Sequence, residues 1–340
     1  MDGFELKMRK RRYFFYNNDT PFNSSSSSFI AMDKYCTNKV LATSNIPVPK
    51  GVLFQSTDLE HESLENIIAE LRFPLVIKPV DGSLGVGVLC NIKNIGELSF
   101  FLKKYSATYP SMIIEEFYGR LQSYRVLVFK RRVIGVVLCH PAQVEGDGRH
   151  TIQELVEITN AKRKKISDYL GPIVLDEEAQ IRLKEQGLDQ RYIPAVGEVV
   201  VLCYTSNPTR GGSYESVNIK ICKENRKIMT KVAAVLNLGL TGIDVECTDI
   251  NTPISQSQGV ILEVNHRPSM LIHENPIQGK SQPVTKKIMR TFILRHPFTY
   301  LRALYSNRPT AFYVRAIIAS FLAIVMFVFL YYYCTKYFVL

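Results

Sequence analysis

Hydrophobic and polar positions along most of the chain alternate between strand-like and helix-like periods. Short apolar runs, several with period-two alternation, predict strands at residues 51–54, 74–78, 86–91, 112–116, 124–130, 133–140, 198–204, 240–247 and 259–265. Apolar residues three and four positions apart predict helices near Asp33 and over residues 63–71, 94–105, 151–160, 176–186, 224–236 and 284–294. Residues 124–130 and 133–140 read as an antiparallel hairpin among helices, so the pattern predicts an α+β fold rather than a regular doubly wound sheet.

The first thirty residues do not follow this pattern. Residues 1–30 are basic, then aromatic, then serine-rich, which predicts a flexible tail rather than a core element. The basic run from Lys7 to Arg12 is followed by only four aromatic residues, too few for the apolar core of a secretion signal. We therefore expect the N-terminus to stay in the compartment where it is made.

A long apolar segment lies near the other end of the chain. Residues 316–333 carry no charge over eighteen positions, close to the roughly 20 residues that cross a bilayer. Three tyrosines at its end suit an interfacial aromatic belt, so we predict a transmembrane helix at 313–335, with a buried core helix as the alternative. Residues 296–312 are predicted to form a basic juxtamembrane linker.

The charges flanking this segment predict its orientation. Arginines precede it at positions 295, 302, 308 and 315, and only Lys336 follows. By the positive-inside rule, the large N-terminal part is expected in the cytoplasm, held by a single-pass C-terminal membrane anchor.

Composition narrows the class of protein without identifying it. A chain of 340 residues with 46% hydrophobic content can form an enzyme-sized domain. The net charge of +11 fits nucleotide phosphates, acidic lipids or nucleic acid, but basic and aromatic residues interleave only from Arg11 to Tyr16, so no nucleic-acid partner is expected. Seven scattered cysteines without a CxxC pair argue against a disulfide framework and a zinc site, and favour a reducing compartment.

A lysine followed by a glycine-rich loop is the first candidate for chemistry. An apolar strand ends at Lys78, and the loop after it contains Gly82, Ser83, Gly85 and Gly87. Glycines let backbone amides approach phosphates, and the lysine supplies a positive charge. The loop has neither the Walker A ending nor GxGxxG spacing, and a glycine-rich hairpin explains it equally well.

Three oxygen-bearing residues on two later strands form the second candidate. Alternation places Glu263 and Asn265 on one face of their strand, and Asp244 occupies a similar position on another. Carboxylate and carboxamide oxygens, completed by phosphates, suit Mg²⁺ rather than zinc. Without the lysine loop, three unrelated edge-strand residues would be the simpler interpretation.

Taken together, these motifs resemble the ATP-grasp superfamily. Met32-Asp33-Lys34 followed by the segment from Asn45 to Pro49 resembles the part that carries the first nucleotide lysine. Residues 144–156 (VEGDGRHTIQELV) and 207–212 (NPTRGG) resemble in particular the ATP-grasp domain of cyanophycin synthetase and related glutathione-synthesising ligases. The resemblance runs from about residue 32 to residue 290.

The resemblance implies an ATP-grasp fold, in which two α+β subdomains grip ATP between them. This domain is expected over residues 31–295, with about 75–125 as the smaller nucleotide-lid subdomain. The residues expected to bind ATP are Lys34, Lys78, Gly82, Ser83, Gly85 and Gly87 at the phosphates, and Glu115, Glu116 and Phe117 as the hinge against adenine. Asp244, Glu263 and Asn265 are expected to hold two Mg²⁺ ions, with Mn²⁺ as a substitute.

Further roles follow from the same resemblance. Arg125, Arg210 and Asn207 are expected near the transferred phosphoryl group, although a surface ion pair is the simpler explanation for either arginine alone. Arg267, Ser269 and His273 are expected to position the substrate.

Several positions depart from the family pattern. Ser123 and Ser216 stand where acidic residues are expected, and His266 and Arg267 stand where relatives carry small residues. Only about thirty residues precede Lys34, so we expect the usual N-terminal domain to be largely absent.

The function implied is that of a carboxylate–amine ligase of the EC 6.3 type, which uses ATP and Mg²⁺ to form an amide or peptide bond through an acyl-phosphate. Its substrates would be small-molecule or peptide carboxylates and amines, its other partner would be the membrane, and a homo-oligomer is left open. The alternative is a membrane-anchored ATP-grasp pseudoenzyme, or a nucleotide-binding protein without ligase turnover.

Overall fold

The computed structural model describes residues 3–8, 11–80, 82, 87–119, 121–166, 170–217 and 221–337. The chain forms two compact units. One unit is Tyr16–Val284, and the other combines Met1–Phe15 with Thr285–Leu340. The candidate site residues that are described all lie in the first unit.

Strands and helices alternate along the chain much as the hydrophobic pattern predicts. The strands are β1 (Gly3–Met8), β2 (Arg11–Tyr16), β3 (Gly51–Gln55), β4 (Leu75–Pro79), β5 (Leu89–Ile92), β6 (Ser111–Glu116), β7 (Gln122–Phe129), β8 (Arg132–His140), β9 (Gln143–Glu145), β10 (Val199–Val201), β11 (Ser213–Ser216), β12 (Leu240–Cys247) and β13 (Val260–Asn265). The helices are α1 (Ser25–Met32), α2 (Lys34–Thr43), α3 (Leu64–Ile67), α4 (Ile95–Tyr105), α5 (Ile152–Ile166), α6 (Glu177–Glu185), α7 (Lys223–Val235), α8 (Leu271–Glu274), α9 (Val284–Leu294), α10 (Pro297–Ser306) and α11 (Arg308–Tyr337). The predicted α+β class is confirmed.

A four-stranded antiparallel sheet, here called the lid sheet, has the order β3-β6-β4-β5. Its core is a cluster of buried apolar side chains that includes Phe54 of β3, Ile77 of β4 and Ile114 of β6. Leu98 and Leu102 of α4 join that cluster from one face of the helix. The lid sheet delivers Lys78 and Glu115, which lie on neighbouring strands.

A five-stranded sheet, here called the main sheet, has the order β11-β8-β7-β12-β13. Ile243 and Val245 of β12 belong to the same buried cluster as Leu41 of α2 and Met229 of α7. Because side chains alternate along a strand, Asp244 points to the opposite face of the sheet. The residues predicted to hold the metal are therefore on the face turned away from this core.

The prediction of a flexible tail over residues 1–30 is wrong for the described part of that segment. Ser24 caps α1, its hydroxyl accepting from the backbone N–H of Ser27 at 3.2 Å, so the serine-rich stretch begins a helix. In the hairpin β1–β2, Tyr13 and Phe15 are less exposed than their neighbours, and Phe15 stacks on Phe4 with ring centroids 4.6 Å apart. Aromatic packing between the strands supplies the order that composition did not reveal.

The unit that contains α11 also joins the two ends of the chain. The Tyr13 hydroxyl lies 3.2 Å from Nε2 of His296, and the Tyr13 ring packs edge-to-face on Phe292 at 4.7 Å. The residues predicted as a juxtamembrane linker form α10 and the start of α11. Arg308–Thr335 is long and apolar enough to cross a membrane, and no residue of its most apolar stretch is buried.

Candidate active site

Lys34 of α2 lies between the glycine-rich loop and the strand that carries Glu263. It is the first residue of α2, which Asp33 caps by accepting from the backbone N–H of Cys36 at 2.8 Å. Its Nζ donates to the backbone carbonyl of Gly82 and lies 3.9 Å from Oε1 of Glu263. A single ammonium group therefore links the glycine-rich loop with the strand predicted to hold a metal.

Steric contacts favour glycine at both ends of the glycine-rich loop, most strongly at Gly87. Gly87 has a φ of +74°, and a Cβ there would lie 2.9 Å from both Pro79 and the Tyr109 ring. A Cβ on Gly82 would lie 3.1 Å from Pro79. Ser83 and Gly85 lie outside the described residues, so their phosphate contacts stay predictions.

Lys78 is held at the end of β4 by a buried ion pair. Its Nζ lies 2.6 Å from Oε2 of Glu115, and both side chains are buried. The Asn38 carboxamide donates to Oε1 of the same carboxylate at 2.9 Å. Because an unpaired buried charge is costly, Glu115 fixes the lysine next to the glycine-rich loop. Its carboxylate thus serves Lys78 in this structure, rather than facing an open hinge.

The rest of the predicted hinge presents an aromatic ring. Phe117 packs edge-to-face on Tyr204 with ring centroids 5.1 Å apart, and its backbone N–H donates to Pro74 at 3.0 Å. Oε1 of Glu116 accepts from the backbone N–H of Arg72 at 3.2 Å. The half-buried Phe117 ring is the hinge group suited to stacking on an aromatic base.

Pairing in the main sheet places the predicted metal ligands side by side. Asp244 of β12 lies opposite Glu263 of β13 on one side and opposite Arg125 of β7 on the other. Arg125 donates to both carboxylate oxygens of Asp244, at 2.5 and 2.6 Å, and the Asn265 carboxamide donates to Oδ2 at 3.2 Å. Burial alone would lower the pKa of Arg125, but the Asp244 carboxylate raises it well above its ordinary value.

The donor chemistry of this group fits Mg²⁺. Asp244, Glu263 and Asn265 offer two carboxylates and one carboxamide from paired strands, and hard oxygen donors are the ligands that Mg²⁺ prefers. Within the described ranges, the structure shows no cluster of three His, Cys, Asp or Glu side chains placed as a metal site. Phosphate oxygens of a bound nucleotide would complete the coordination.

Sequence reasoning missed Glu246, which shares the face of β12 with Asp244. Glu246 pairs with Ser123 of β7, whose hydroxyl donates to its carboxylate. Burial raises the pKa of Glu246 to about 8, with the charge of Asp244 adding to the effect. The alternation from Ile243 to Cys247 was the signal that could have revealed it. At the second departure, Ser216, the side chain accepts from Gln282 at 2.8 Å.

Arg210 and Asn207 lie at a polar cluster with acidic residues of their own. Arg210 donates to Asp176 at 2.5 Å and lies 3.0 Å from Glu178. Burial raises the pKa of Glu178, while Arg210 opposes that rise. Asn207 accepts from the backbone N–H of Thr209 at 3.0 Å and caps a short 3₁₀ turn. The structure links neither residue to Asp244 by a described contact, so their catalytic roles stay predictions.

The three residues predicted to position the substrate are in different environments. Arg267 is exposed and donates to Asp19 at 2.6 Å, and Ser269 is half-buried. His273 is fully buried against β8, where a Cβ on Gly135 would lie 2.7 Å from its Nδ1. The His273 ring is thus packed inside the protein, and its role in positioning the substrate stays a prediction.

Comparison with known proteins agrees with this geometry. Residues 31–189 match the family model described as the RimK-like ATP-grasp domain. Cyanophycin synthetase from Crocosphaera subtropica is 34% identical over 266 residues, which cover 76% of this chain and 30% of that protein. The glutathione biosynthesis bifunctional protein GshAB from Mannheimia succiniciproducens is 29% identical over 287 residues, covering 80% of this chain and 36% of that protein.

A solved structure gives the same result at the level of the fold. The crystal structure of a bifunctional glutathione synthetase from Pasteurella multocida superposes with a TM-score of 0.59 at 26% identity. The match covers 86% of this chain and 40% of that one. The chain thus spans about a third of the length of the curated relatives it matches.

Proposed function

From the match of residues 31–189 to a RimK-like ATP-grasp domain, we propose that the chain is an ATP-grasp ligase that joins a carboxylate to an amine. ATP supplies the energy. The observation that carries the proposal is the position of Lys34, whose Nζ contacts Gly82 of the glycine-rich loop and lies near Glu263 of the metal strand. A nucleotide whose phosphates lie between these two elements meets this lysine.

The reaction we propose has two steps. A carboxylate oxygen of the first substrate attacks the γ-phosphorus of ATP, the bond to the β-phosphate oxygen breaks, and ADP leaves. The amine nitrogen of the second substrate then attacks the acyl carbon, phosphate leaves, and the nitrogen loses a proton to give the amide. The protein contributes by holding the reactants in place and by supplying fixed charge where charge develops.

Different residues of the site hold the nucleotide and supply the fixed charge. Lys34 and Lys78 bind the phosphates, the latter positioned by Glu115. Phe117 stacks on the adenine. Arg125 orients Asp244 through its two hydrogen bonds and places positive charge beside the phosphoryl group.

Asp244, Glu263 and Asn265 would hold Mg²⁺, as two ions, with Mn²⁺ as a substitute. Bound there, the metal neutralises phosphate charge. The three residues themselves fix the position of the nucleotide's phosphate end, because β13 pairs with β12, and β12 in turn pairs with β7 and its Arg125.

The substrates we propose are amino acids or peptides. The names of the relatives describe cyanophycin and glutathione synthesis, in which amino-acid carboxylates and amines are the reacting groups. Arg267, exposed beside Asp19, is a group that could bind a substrate carboxylate through its planar guanidinium.

We also propose that α11 anchors the enzyme in a membrane. The segment Arg308–Thr335 is long and apolar enough to span a bilayer. The excess of arginine before the apolar stretch supports a cytoplasmic position for the ATP-grasp domain.

Calorimetry of ATP binding, paired with phosphate release by the detergent-solubilised full chain, tests the ligase proposal. A panel of amino acids and dipeptides is supplied singly and in pairs. We expect phosphate and ADP to be released when carboxylate and amine are supplied together, and at least tenfold less release with either alone. Glu263→Gln, which keeps the shape of the side chain, should lose turnover. ATP binding without turnover for any pair would instead support a membrane-anchored ATP-grasp pseudoenzyme.

A further inference from the structure

The net positive charge of the chain comes from the unit that contains α11. Residues 285–340 include eight lysines and arginines and no acidic residue, while residues 1–15 include five basic and two acidic residues. The excess in this unit is therefore 11, which equals the net charge of +11 for the whole chain. Tyr16–Val284, which holds the candidate active site, is balanced. The charge excess therefore lies in the unit with the apolar helix, and not in the unit with the candidate site.

The fold of this unit brings basic residues from the two ends of the chain together. Tyr13 in β2 contacts Phe292 at the end of α9 and His296 just before α10. The exposed Arg11 and Arg12 of β2 therefore lie on a hairpin fastened to the chain that leads into α11. One acidic residue of the hairpin, Glu5, lies 3.5 Å from Arg12 and offsets one of these charges.

Exposed aromatic and aliphatic side chains accompany these charges. In α10, Phe298, Leu301 and Tyr305 are all exposed, and their spacing of three and four places them on one face of the helix. Arg302 is exposed beside them, and Phe14 is exposed on the hairpin. Basic groups combined with aromatic rings are typical of a surface that sits at the headgroup level of a membrane.

The position of α10 in the chain indicates which surface it meets. α10 ends at Ser306 and α11 begins at Arg308, so a single residue separates the exposed α10 face from the helix proposed to enter the bilayer. The cation of Arg315 lies 4.9 Å from the Tyr305 ring, which ties the two helices together. A headgroup layer is therefore within reach of α10 and of the hairpin attached near its start.

We infer that the basic and aromatic surface formed by β1–β2 and α10, here called the basic collar, binds the anionic phospholipid headgroups of the leaflet that α11 enters. Each lysine or arginine at such a surface strengthens binding about fivefold, and salt screens the effect. The inference rests on the proposed anchoring by α11 and does not depend on ligase activity. It assigns the collar a partner, an anionic lipid layer.

Hydrogen exchange of the full chain in lipid nanodiscs tests this inference. One set of nanodiscs contains phosphatidylcholine alone, and the other contains phosphatidylcholine with about 30% phosphatidylserine, near the anionic content that attracts basic segments. We expect the peptides of β1–β2 and α10 to exchange at least fivefold more slowly with phosphatidylserine at low salt. High salt should remove most of that difference.

A matched pair of variants separates collar charge from total charge. Arg11→Gln, Arg12→Gln and Arg302→Gln together remove three collar charges and should abolish the lipid-dependent protection. Lys184→Gln, Lys223→Gln and Lys227→Gln remove three exposed charges from Tyr16–Val284 and should leave it unchanged.

Three results would overturn the inference. The first is equal exchange in the two lipids, and the second is loss of protection in the Lys variant as large as in the Arg variant. The third is protection by a short DNA duplex in phosphatidylcholine discs with none from phosphatidylserine, which would assign the collar to nucleic acid. If the chain does not co-elute with lipid discs at all, anchoring by α11 is disproved. That part of the proposed function is then rejected together with the inference.

Discussion

At the scale of single residues, each cation of the candidate site lies beside an acidic partner. Lys78 is paired with Glu115, Arg125 with Asp244, and Lys34 lies near Glu263. Each pair keeps a partly buried charge from being left alone, which would be costly. The same pairing sets the position of each cation, so the site is built before the substrate binds.

Ser123 shows how a departure from the family pattern is accommodated. Replacing it by aspartate would place a second carboxylate beside Glu246, in a position where burial already raises the pKa of Glu246 to about 8. Above pH 8, where Glu246 is ionised as well, we expect Ser123→Asp to lower the free energy of unfolding by about 1–3 kcal/mol. The measurement is urea unfolding followed by circular dichroism.

The control for this prediction is Ser123→Asn, which has the same shape without the charge and should cost clearly less. The exchange Ser123→Asp with Glu246→Ser should recover most of the stability, because it restores one carboxylate facing one hydroxyl. Equal losses in the Asp and Asn variants would contradict the electrostatic explanation.

Lys34 provides a second prediction at this scale. Lys34→Ala removes the ammonium group that contacts Gly82 and lies near Glu263, so we expect ATP affinity to fall about 10- to 100-fold, the range of one charge-assisted interaction. Isothermal calorimetry measures this directly. Lys39→Ala, an exposed lysine on the same helix, is the control and should bind ATP like the wild type. Similar affinities for the two variants would remove Lys34 from the nucleotide site.

Residues marked by a local sequence pattern could be predicted from the sequence alone. Residues whose environment depends on tertiary packing could not. Alternation on β12 and β13 was enough to place Asp244 and Glu263 on strand faces, and register then brought them together. The same alternation contained Glu246, but its partner Ser123 is more than a hundred residues away in the chain. His273 looked like a site residue by its place after the metal strand, and tertiary packing buries it.

At the scale of elements, α6 fastens the lid sheet to the rest of its unit at both of its ends. Glu177 at its start accepts from Lys104 of α4 at 2.8 Å. Glu185 at its end accepts from Asn91 of β5 at 2.7 Å and lies 3.2 Å from Lys93. Because α4 and β5 share the buried core of the lid sheet, α6 restrains the sheet that carries Lys78.

We predict that Glu185→Ala loosens this restraint. Glu185 is the better buried of the two acids, so its loss matters more than that of the exposed Glu177. Hydrogen exchange in β4 and β5 should become about three- to tenfold faster, which corresponds to about 1 kcal/mol. Glu157→Ala, at an exposed position on α5, should leave this exchange unchanged. Unchanged exchange in the Glu185 variant would mean that α6 does not restrain the lid sheet.

Acid should weaken the same contact in a defined range. Burial opposes ionisation of Glu185, but hydrogen bonds from Tyr204 and Lys93 bring its pKa below the ordinary value of 4.5. A carboxylate with a lowered pKa in the folded state stabilises that state above its unfolded pKa and loses the effect as pH falls through the folded pKa. The restraint is therefore present at neutral pH and is lost below pH 4.5.

The elements that could be predicted are the long or strongly periodic ones. β12 matches its prediction at both ends, and α9 does as well. β9, β11 and α8, of three or four residues each, were missed because such short segments form only where a neighbouring strand or turn supports them. The predicted helix over residues 63–71 shortens to α3, Leu64–Ile67.

At the scale of the whole molecule, the chain separates a charge-balanced unit with the candidate site from a basic unit with an apolar helix. The composition shows only the net charge of +11. The difference in net charge between the two units became visible once the structure grouped the two chain ends. The proposed nucleotide site and the proposed membrane anchor thus lie in different units.

The proposed anchor predicts how the chain fractionates. The full chain should stay in the membrane pellet after extraction with alkaline carbonate, because about 20 apolar residues buried in lipid are not displaced by charge disruption. Removing residues 308–340 should release it, whereas removing residues 1–15 should not. Immunoblotting of pellet and supernatant measures this, and release of the full chain by carbonate would contradict a membrane span.

The central claim is that this chain forms an amide at the expense of ATP, and untargeted mass spectrometry of cell metabolites tests it most directly. Cells expressing the wild type are compared with cells expressing a Lys78→Ala, Glu263→Ala variant, with equal protein levels confirmed by immunoblot. The account predicts a compound present only with the wild type, whose mass equals an acid plus an amine minus water. Identical metabolite profiles in the two strains would contradict it.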